Sequence, residues 1–490
     1  MNEFADHVTF PRGKGALPDA AHSGAAGGAA CGDLIRIAVR IEGGHVAEAG
    51  FDASGCAAAT AAGSAVVELV EDEQFLDAAR VSAADISEAL GALSSERRHA
   101  AELAADALHR ALGAAAKDGV MTADPSERRT LVAMSGGVDS AVAAQLALDR
   151  GDETVGVTLE LWADPGTDGT KSCCSPYAVT GARALAHRMG VPHITLDLRE
   201  EFRREVVDDF LSAHADGATP NPCVRCNGLV RFDAMLELAA SLGAARLATG
   251  HYARIERTPE GPLLKAAADA NKDQSYMLAR LTPDELERLW FPLAELEKPR
   301  VRELAATASL PVARKPESQD LCFLAGTKRE DFLVRHRGPG AGEGELVTPD
   351  GRVIGTHPGH ETFTVGQRKG IGVAAGEPLY VIRKDPAANR VTVGAIEHLA
   401  TTEVLVTGAT LHREPARVNR VKLRYRSAPA ACRVARIDDD RVLLELAEPV
   451  HGVAPGQTAA LLESDLVVGC GIIAAPEGVN HDKGGKRIAA

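Results

Sequence analysis

The chain has 490 residues, enough for three or four domains, and its net charge is −14. Hydrophobic residues make up 45% and charged residues 25%, as in soluble globular proteins, and no apolar run reaches the ~18 residues that a membrane helix needs. The acidic balance argues against broad nucleic-acid binding, although it leaves room for a local basic stripe. The N-terminus has no apolar segment of a secretory signal. We therefore expect a cytoplasmic protein, no membrane partner and nine reduced cysteines.

Composition and pattern divide the chain into seven segments with different predicted structures. They are a disordered start (1–30), a small α+β domain (31–112), a linker (113–127), an α/β domain (128–335), a central β domain (336–401), a C-terminal β-barrel (402–476) and a mobile tail (477–490).

The N-terminal domain is predicted from one hairpin and three helices. Two short β patterns flank Gly43-Gly44, which is a hairpin signal. A helix is predicted over Ala57 to Val70. Two further helices are predicted over 82–112, with Ser82 and Ser94 as N-caps.

From residue 130 onward, apolar strand-like runs alternate with helical patterns. The runs are Leu131–Met134, Thr154–Leu159, His193–Leu196 and Arg246–Gly250. This alternation predicts an α/β fold with a doubly wound parallel sheet, whose site lies at the carboxyl ends of the strands. After about residue 340, Gly-rich turns separate short Val/Ile/Leu runs, which predicts two small β domains.

A Gly-rich loop, Ser135-Gly136-Gly137-Val138-Asp139-Ser140, lies between the first strand and a helix. Glycine permits close backbone approach, and a helix N-terminus presents N–H groups and positive dipole charge to an anion. The hydroxyls of Ser135 and Ser140 add donors. The loop therefore predicts a phosphate cradle, but it lacks the lysine of a Walker loop. It resembles the PP-loop of ATP pyrophosphatases, which use ATP to adenylate a substrate and release pyrophosphate.

Three cysteines form the main thiol constellation. Cys223 and Cys226 follow two prolines, and Cys322 comes later in the chain. Three thiols suit three irons of a cubane cluster, a persulfide on one thiol attacked by another, or a structural zinc site that lacks a ligand. Spacing alone leaves these alternatives open. Cys173 and Cys174 are interpreted as loop residues, and Cys432 and Cys470 as buried filler.

From about 128 to 476 the chain resembles the tRNA-specific 2-thiouridylases. The shared strings, in order, are SGGVDS (135–140), TPNPCVRCN (219–227), ATGHYAR (248–254), KDQSYML (272–278), ESQDLCF (317–323), GQRKGIG (366–372) and VAPGQ (453–457). The resemblance implies that ATP, taken with Mg²⁺, adenylates the uracil 2-oxygen of the wobble uridine of tRNA, and that a sulfur atom then displaces AMP.

The resemblance also assigns roles to individual residues. The implied ATP contacts are Ala133, Met134, Ser135, Gly136, Gly137, Val138, Asp139, Ser140, Leu159 and Gly250. The implied tRNA contacts are Asn221, Pro222, Cys223, His251, Lys272, Asp273, Gln274, Arg424, Tyr425 and Gln457. Cys226 matches the family's nucleophile, and Cys322 matches the carrier of the persulfide.

A basic stripe supports the tRNA assignment. Its members are Arg413, Arg417, Arg420, Lys422, Arg424 and Arg426, and Tyr425 among them suits stacking on a base. The alternative interpretation of the stripe is a solvated barrel edge.

Cys223 departs from the family pattern, because many members have Asp at this position. The cysteine completes a three-thiol set with Cys226 and Cys322. Related tRNA thiolases with three cysteines hold a 4Fe–4S cluster. The persulfide and cluster mechanisms therefore both stay open, and the three-thiol set favours the cluster.

Residues 31–112 resemble the N-terminal domain of the iron–sulfur scaffold family (NifU/IscU). The carrying strings are Cys31-Gly32-Asp33, Ser54-Gly55-Cys56-Ala57 after Gly50-Phe51, and His99 ahead of Leu103 to Leu108. The resemblance implies metal positions at Cys31, Asp33, Cys56 and His99, which suit zinc or a labile iron–sulfur cluster. The family's third cysteine is Ala100 here.

The two resemblances together imply sulfur handling and a sulfur donor, such as a cysteine desulfurase, as partner. Two alternatives stay open. One is another PP-loop ligase that acts on a small molecule. The other is an iron–sulfur or sulfur carrier with a vestigial ATP site.

Overall fold

The computed structural model describes residues 2–19, 21–28, 32–121, 123–164, 166, 175–316, 321–338, 340–373, 376–475 and 486–487. The chain divides into two compact units. The first comprises Met1–Arg199, Arg231–His251 and Arg288–Ala325, and the second Glu200–Val230, Tyr252–Glu287 and Gly326–Ala490. Within the described residues, no helix combines the length and apolar character that a membrane span requires. Cys31, Cys173 and Cys174 lie outside the described residues.

The N-terminal part of the first unit is an antiparallel three-stranded sheet with helices. Its elements are α1 (Glu3–Thr9), β1 (His22–Gly27), β2 (Leu34–Glu42), β3 (His45–Ser54), α2 (Ala57–Val70), α3 (Phe75–Ala78), α4 (Ala83–Ala89) and α5 (Arg98–Lys117), with strand order β1-β2-β3. The predicted hairpin is confirmed, since Gly43 and Gly44 have φ of +56° and +82°, as a two-residue type I′ turn requires. The helix predicted from Ala57 to Val70 is confirmed as α2.

The prediction of disorder over 1–30 is wrong for the two elements that form there. α1 is capped by Asn2, whose side chain accepts from the Ala5 N–H at 2.9 Å, and β1 pairs with β2. The Gly/Ala composition here permits close packing. A Cβ on Gly24 would lie 2.3 Å from the Ala107 carbonyl oxygen of α5, so only glycine lets the strand approach that helix.

Two predicted boundaries near α5 also need correction, whereas the Ser82 cap is confirmed. Ser82 and Asp85 form a capping box at the start of α4. Ser94 does not cap α5, because that helix begins at Arg98 with Arg97 as its N-cap. The predicted linker over 113–127 is helical at its start, since α5 continues to Lys117 with Gly113, Ala115 and Ala116 buried.

The middle of the chain contributes elements to both units. They are β4 (Ser126–Ala133), α6 (Val138–Asp149), β5 (Glu153–Glu160), α7 (Pro176–Arg188), β6 (His193–Asp197), α8 (Arg199–Phe202), α9 (Asp208–Ala215), α10 (Pro222–Cys226), α11 (Phe232–Ser241), β7 (Ala244–Thr249), β8 (Arg254–Thr258), β9 (Gly261–Lys265), α12 (Pro283–Glu287), β10 (Leu289–Trp290) and α13 (Lys298–Thr307). In the first unit, five strands form a wholly parallel sheet of order β10-β7-β4-β5-β6. The predicted parallel sheet is confirmed.

Helix α5 joins the N-terminal elements to this sheet within the first unit. A Cβ on Gly113 would lie 1.9 Å from the Thr195 carbonyl oxygen of β6, so the helix lies directly against that strand. The His193 N–H donates to the Ala79 carbonyl at 3.0 Å, which adds a backbone hydrogen bond between the same two parts. The N-terminal elements therefore pack on the β6 edge of the sheet.

The C-terminal part of the second unit is mostly β. Its elements are α14 (Arg329–Arg337), β11 (Gly344–Val347), β12 (Val353–His357), β13 (Tyr380–Asp385), β14 (Arg390–Gly394), β15 (Ala400–Leu411), β16 (Arg420–Lys422), β17 (Ala430–Asp438), β18 (Arg441–His451), β19 (Thr458–Glu463), β20 (Leu466–Ile473) and β21 (Lys486–Arg487). One sheet has the order β12-β11-β14-β13. In the other, β15-β18-β17-β16-β19-β20 closes through a β15–β20 pairing, which confirms the predicted barrel. Apart from β21, the predicted tail lies outside the described residues.

Candidate functional site

The predicted phosphate loop connects β4 to the N-terminus of α6. Gly136 has a φ of +67°, which favours glycine, and Gly137 is the N-cap of α6. The Ser140 hydroxyl accepts from the Ser135 N–H at 3.1 Å and donates to the Gly137 carbonyl at 3.1 Å. This hydroxyl therefore closes the loop on itself and helps to fix the backbone that is predicted to bind phosphate.

The structure brings other predicted ATP residues to this loop. Gly250 follows β7, and a Cβ there would lie 2.8 Å from the backbone nitrogen of Ser140, so this contact requires glycine. Met134 donates its N–H to the Val157 carbonyl of the neighbouring strand β5 at 2.7 Å. Leu159, also on β5, is buried. The loop follows β4, Gly250 follows β7 and Leu159 lies on β5, and these three strands are neighbours in one sheet.

Two lysines at the loop were missed by the sequence reasoning. The Lys298 ammonium lies 2.7 Å from both carboxylate oxygens of Asp139. The Lys315 ammonium donates to the Gly136 carbonyl at 2.8 Å. Neither lysine belongs to the loop motif, and a single lysine elsewhere in the sequence does not indicate a phosphate contact. The absence of a Walker lysine was the only hint that cations come from elsewhere.

The thiols Cys223 and Cys226 lie in α10 of the second unit. Asn221 caps this helix, with its side-chain oxygen accepting from the N–H groups of Cys223 at 3.2 Å and Val224 at 3.4 Å. The two cysteines are one helical turn apart; Cys223 is half-buried and Cys226 buried. Cys322 belongs to the first unit and is half-buried.

Nine of the ten predicted tRNA contacts belong to the second unit, and His251 is the exception. Burial is the largest influence that raises the pKa of Tyr425; the charges of Asp273 and Cys223 also raise it, and those of Arg426 and Lys272 lower it. These four residues therefore lie within electrostatic range of the Tyr425 phenol.

Further contacts hold this group of residues in place. The Gln274 side chain accepts from the Tyr252 N–H at 2.9 Å, and the Gln457 side chain donates to the Thr219 carbonyl at 2.6 Å. His251, by contrast, belongs to the first unit. Burial lowers the pKa of His251 to about 3, with Arg231 as a second cause, so its imidazole is neutral.

The basic stripe is largely paired within the second unit. Arg413 and Arg417 both pair with Glu260, at 3.1 and 2.7 Å, and Lys422 lies 3.4 Å from Asp273. Arg424 donates to the Gly452 carbonyl, and burial lowers its pKa. Arg426 is the exposed member of the stripe. Much of the stripe's charge is thus neutralised internally.

The N-terminal candidate metal site combines Asp33, which directly precedes β2, Cys56 at the N-cap of α2, and His99 in the first turn of α5. Ligand atoms of Asp33, Cys56 and His99 all lie within 4.8 Å of one another. The Asp33 carboxylate accepts from the Cys56 N–H at 2.8 Å and lies 2.9 Å from the His99 Nε2. The Cys56 N–H and then His99 lower the pKa of Asp33, while the bond to Asp33 raises that of His99. A carboxylate, a thiol and an imidazole at this spacing suit a metal ion.

Comparisons with known proteins match families and relatives to most of the chain. Four domain families match: the NifU-like N terminal domain over 1–118, the tRNA methyl transferase HUP domain over 128–326, the tRNA methyl transferase PRC-barrel domain over 330–395 and the Aminomethyltransferase beta-barrel domain over 397–473. The "Bifunctional protein NifU/MnmA" of Rubrobacter xylanophilus is 44% identical over 484 residues, covering 96% of this chain and 97% of that protein. The chain belongs to the NifU/MnmA family.

Relatives that are named only as 2-thiouridylases match a shorter part of the chain. The "tRNA-specific 2-thiouridylase MnmA" of Carboxydothermus hydrogenoformans is 41% identical over 356 residues, covering 71% of this chain and 97% of that protein. The protein of the same name from Geobacter metallireducens is 41% identical over 362 residues, with coverages of 72% and 98%. The resemblances to the 2-thiouridylase and scaffold families are therefore confirmed.

Proposed function

We propose that this chain is an ATP-dependent tRNA-uridine 2-sulfurtransferase that acts on the wobble uridine. The observation that carries the proposal is an intact PP-loop, closed at the N-terminus of α6, in a chain that is 41% identical to a named tRNA-specific 2-thiouridylase along 97% of that relative. A vestigial ATP site would not need the glycine contact between Gly250 and Ser140.

The first step is adenylation at the loop. Ala133 to Ser140, with Leu159 and Gly250, form the ATP site, where the N–H groups and the dipole of α6 hold phosphate oxygens. The uracil 2-oxygen forms a bond to the α-phosphorus, the bond from that phosphorus to its bridging oxygen breaks, and pyrophosphate leaves with the electron pair. The 2-oxygen, a poor leaving group by itself, then departs as part of AMP.

The second step delivers sulfur from the thiols. In one form Cys322 carries a persulfide and Cys226 attacks it, so that the sulfur passes to C2, AMP leaves and the two cysteines become a disulfide that a thiol reductant must reduce. In the other form Cys223, Cys226 and Cys322 would hold a 4Fe–4S cluster, which would supply sulfide. α10 supplies two of those three donors, one turn apart, which fits both forms.

The remaining site residues bind the tRNA and the sulfur source. Asn221, Pro222 and Cys223 meet the target base, and Tyr425 stacks on a base. Further tRNA contacts are His251, Lys272, Asp273, Gln274, Arg424 and Gln457. The N-terminal domain docks a cysteine desulfurase or another sulfur donor, with zinc or a labile cluster at Cys31, Asp33, Cys56 and His99; the described three of these fit one metal ion.

The test uses the full chain with unmodified tRNA, ATP, a cysteine desulfurase with cysteine as the sulfur source, and a thiol reductant. Pyrophosphate release should depend on the tRNA, and 2-thiouridine should form at the wobble position, as read by mass spectrometry. Cys226→Ser should keep pyrophosphate release and lose thiolation. Cys432→Ser is the matched control, because burial raises the pKa of that barrel thiol to about 11 and leaves it unreactive. Pyrophosphate release without tRNA would contradict the proposal.

Cys223→Ser separates the two sulfur mechanisms. In the cluster form all three thiols are ligands, so the variant should lose iron and activity together in anaerobically purified protein, because a hydroxyl replaces a soft thiolate poorly. In the persulfide form Cys223 is dispensable. Near-normal thiolation by an iron-free Cys223→Ser protein would therefore leave only the persulfide relay.

A further inference from the structure

The phosphate loop has no lysine of its own, although a triphosphate brings several negative charges to it. Two ammonium groups reach the loop from outside the motif. Lys298, in the first turn of α13, lies 2.7 Å from both oxygens of the Asp139 carboxylate, and Lys315 lies 2.8 Å from the Gly136 carbonyl. The two cations therefore flank the backbone N–H groups at the start of α6.

The position of Lys298 is not explained by the stability of either helix. A positive charge in the first turn of α13 opposes that helix's dipole, and burying an ammonium group costs free energy; Lys298 is only 7% exposed. Asp139 needs no buried partner, because a carboxylate in the first turn of α6 is favourable already and its side chain is 31% exposed. A nearly buried ammonium group held against the carboxylate of an anion-binding loop is placed to meet an anionic ligand.

We propose that Lys298 and Lys315 bind the β- and γ-phosphates of ATP and carry the charge of the leaving pyrophosphate. This inference rests on the proposed function. On binding, Lys298 exchanges the Asp139 carboxylate for phosphate oxygens. As the bond between the α-phosphorus and the bridging oxygen breaks, the electron pair goes to pyrophosphate, and the two ammonium groups stabilise the growing negative charge. They take the place of the Walker lysine from distant parts of the chain.

The test compares three ligands that differ in their phosphates. ATP, inorganic pyrophosphate and AMP are titrated calorimetrically into the full-length protein and its variants. Lys298→Met and Lys315→Met should each weaken ATP and pyrophosphate binding by about 10- to 100-fold, the typical loss of a charged hydrogen bond, and change AMP affinity by less than about 2-fold. Equal losses for all three ligands, or none, would overturn the inference.

Arg300→Met is the matched control. It removes a cation from the same helix α13, but Arg300 is exposed and pairs with Glu303 at 3.0 Å. Its affinities for the three ligands should equal those of the wild type. Lys298→Arg, which keeps the charge, should retain ATP binding better than Lys298→Met. If Lys298→Met loses its fold, Lys298→Arg and Lys315→Met still decide the outcome through their ATP-to-AMP affinity ratios.

A double variant separates phosphate binding from simple neutralisation of Asp139. If Lys298 only cancels the Asp139 charge, Lys298→Met combined with Asp139→Asn should regain wild-type ATP affinity, which would refute the inference. If Lys298 binds phosphate, the double variant stays weak. A wild type that binds ATP and pyrophosphate through these lysines but makes no 2-thiouridine would refute the proposed function alone.

Discussion

Gly113→Ala should destabilise the first unit, although alanine is the better helix former. Alanine in a helix interior is worth about 1 kcal/mol over glycine. At Gly113 of α5, however, the new Cβ would lie 1.9 Å from the Thr195 carbonyl oxygen of β6, and a backbone atom in a sheet cannot rotate away. Overpacking of this kind costs about 1–3 kcal/mol or more. We expect a net loss in the free energy of unfolding, with a fall in Tm of about 2–4 °C per kcal/mol.

Tryptophan fluorescence during thermal unfolding is the assay, because both tryptophans, Trp162 and Trp290, belong to the first unit. Gly181→Ala in α7 is the control. A Cβ there meets nothing within 4 Å, so it should raise the Tm through helix propensity alone. If Gly113→Ala raises the Tm as Gly181→Ala does, then α5 does not lie against β6 as described.

Two further perturbations test the same region of the first unit. Asp106→Asn should lower the free energy of unfolding, measured by denaturant titration, by about 3–5 kcal/mol, because it removes the carboxylate that lies 2.7 Å from the buried Arg183 guanidinium. The control is Glu303→Gln at an exposed ion pair, which should lower it by less than about 0.5 kcal/mol. Burial, above all, lowers the pKa of His109 and of His193, so each gains its proton only on unfolding. Stability should therefore be full above about pH 6.5 and fall below it by about 1.4 kcal/mol per pH unit for each histidine. His109→Leu should flatten that slope, and a wild-type denaturation midpoint that does not change between about pH 7.5 and 5.5 would contradict the assignment.

The features that could be predicted from sequence depend on residues close together in the chain. The Gly43-Gly44 turn needs only two positive φ angles, and the Ser82 cap needs an acceptor three residues away. The phosphate loop is likewise a strand, a turn and a helix start in one short segment. The alternation of apolar runs with helical patterns was enough to predict the parallel sheet, because each buried strand is a short apolar run in the sequence.

The features that could not be predicted join residues far apart. Lys298 and Lys315 lie 159 and 179 positions from the loop residues that they contact, and no periodicity relates them. The Gly/Ala-rich start was predicted to be disordered because small residues bury little apolar surface. The same small residues also permit close packing where a partner element exists, and the composition alone does not distinguish the two cases. The partner of Gly24 is Ala107 of α5, which lies far along the chain from it.

Helix α5 shows how the two parts of the first unit depend on one another. Asp106, Arg110, Gly113 and Lys117 recur at spacings of four, three and four, so they share one face of the helix. That face meets Arg183, the buried Glu160, the Thr195 backbone and the Asp197 carbonyl of the sheet domain. The same helix carries His99 of the candidate metal site in its first turn. Deleting the N-terminal domain would take Asp106 from Arg183 and Arg110 from Glu160, which would keep only its 3.6 Å pair with Arg199 among these ion pairs, and would uncover the part of β6 against which α5 packs. The N-terminal domain is thus a structural part of the unit that holds the phosphate loop, and not a tethered addition to it.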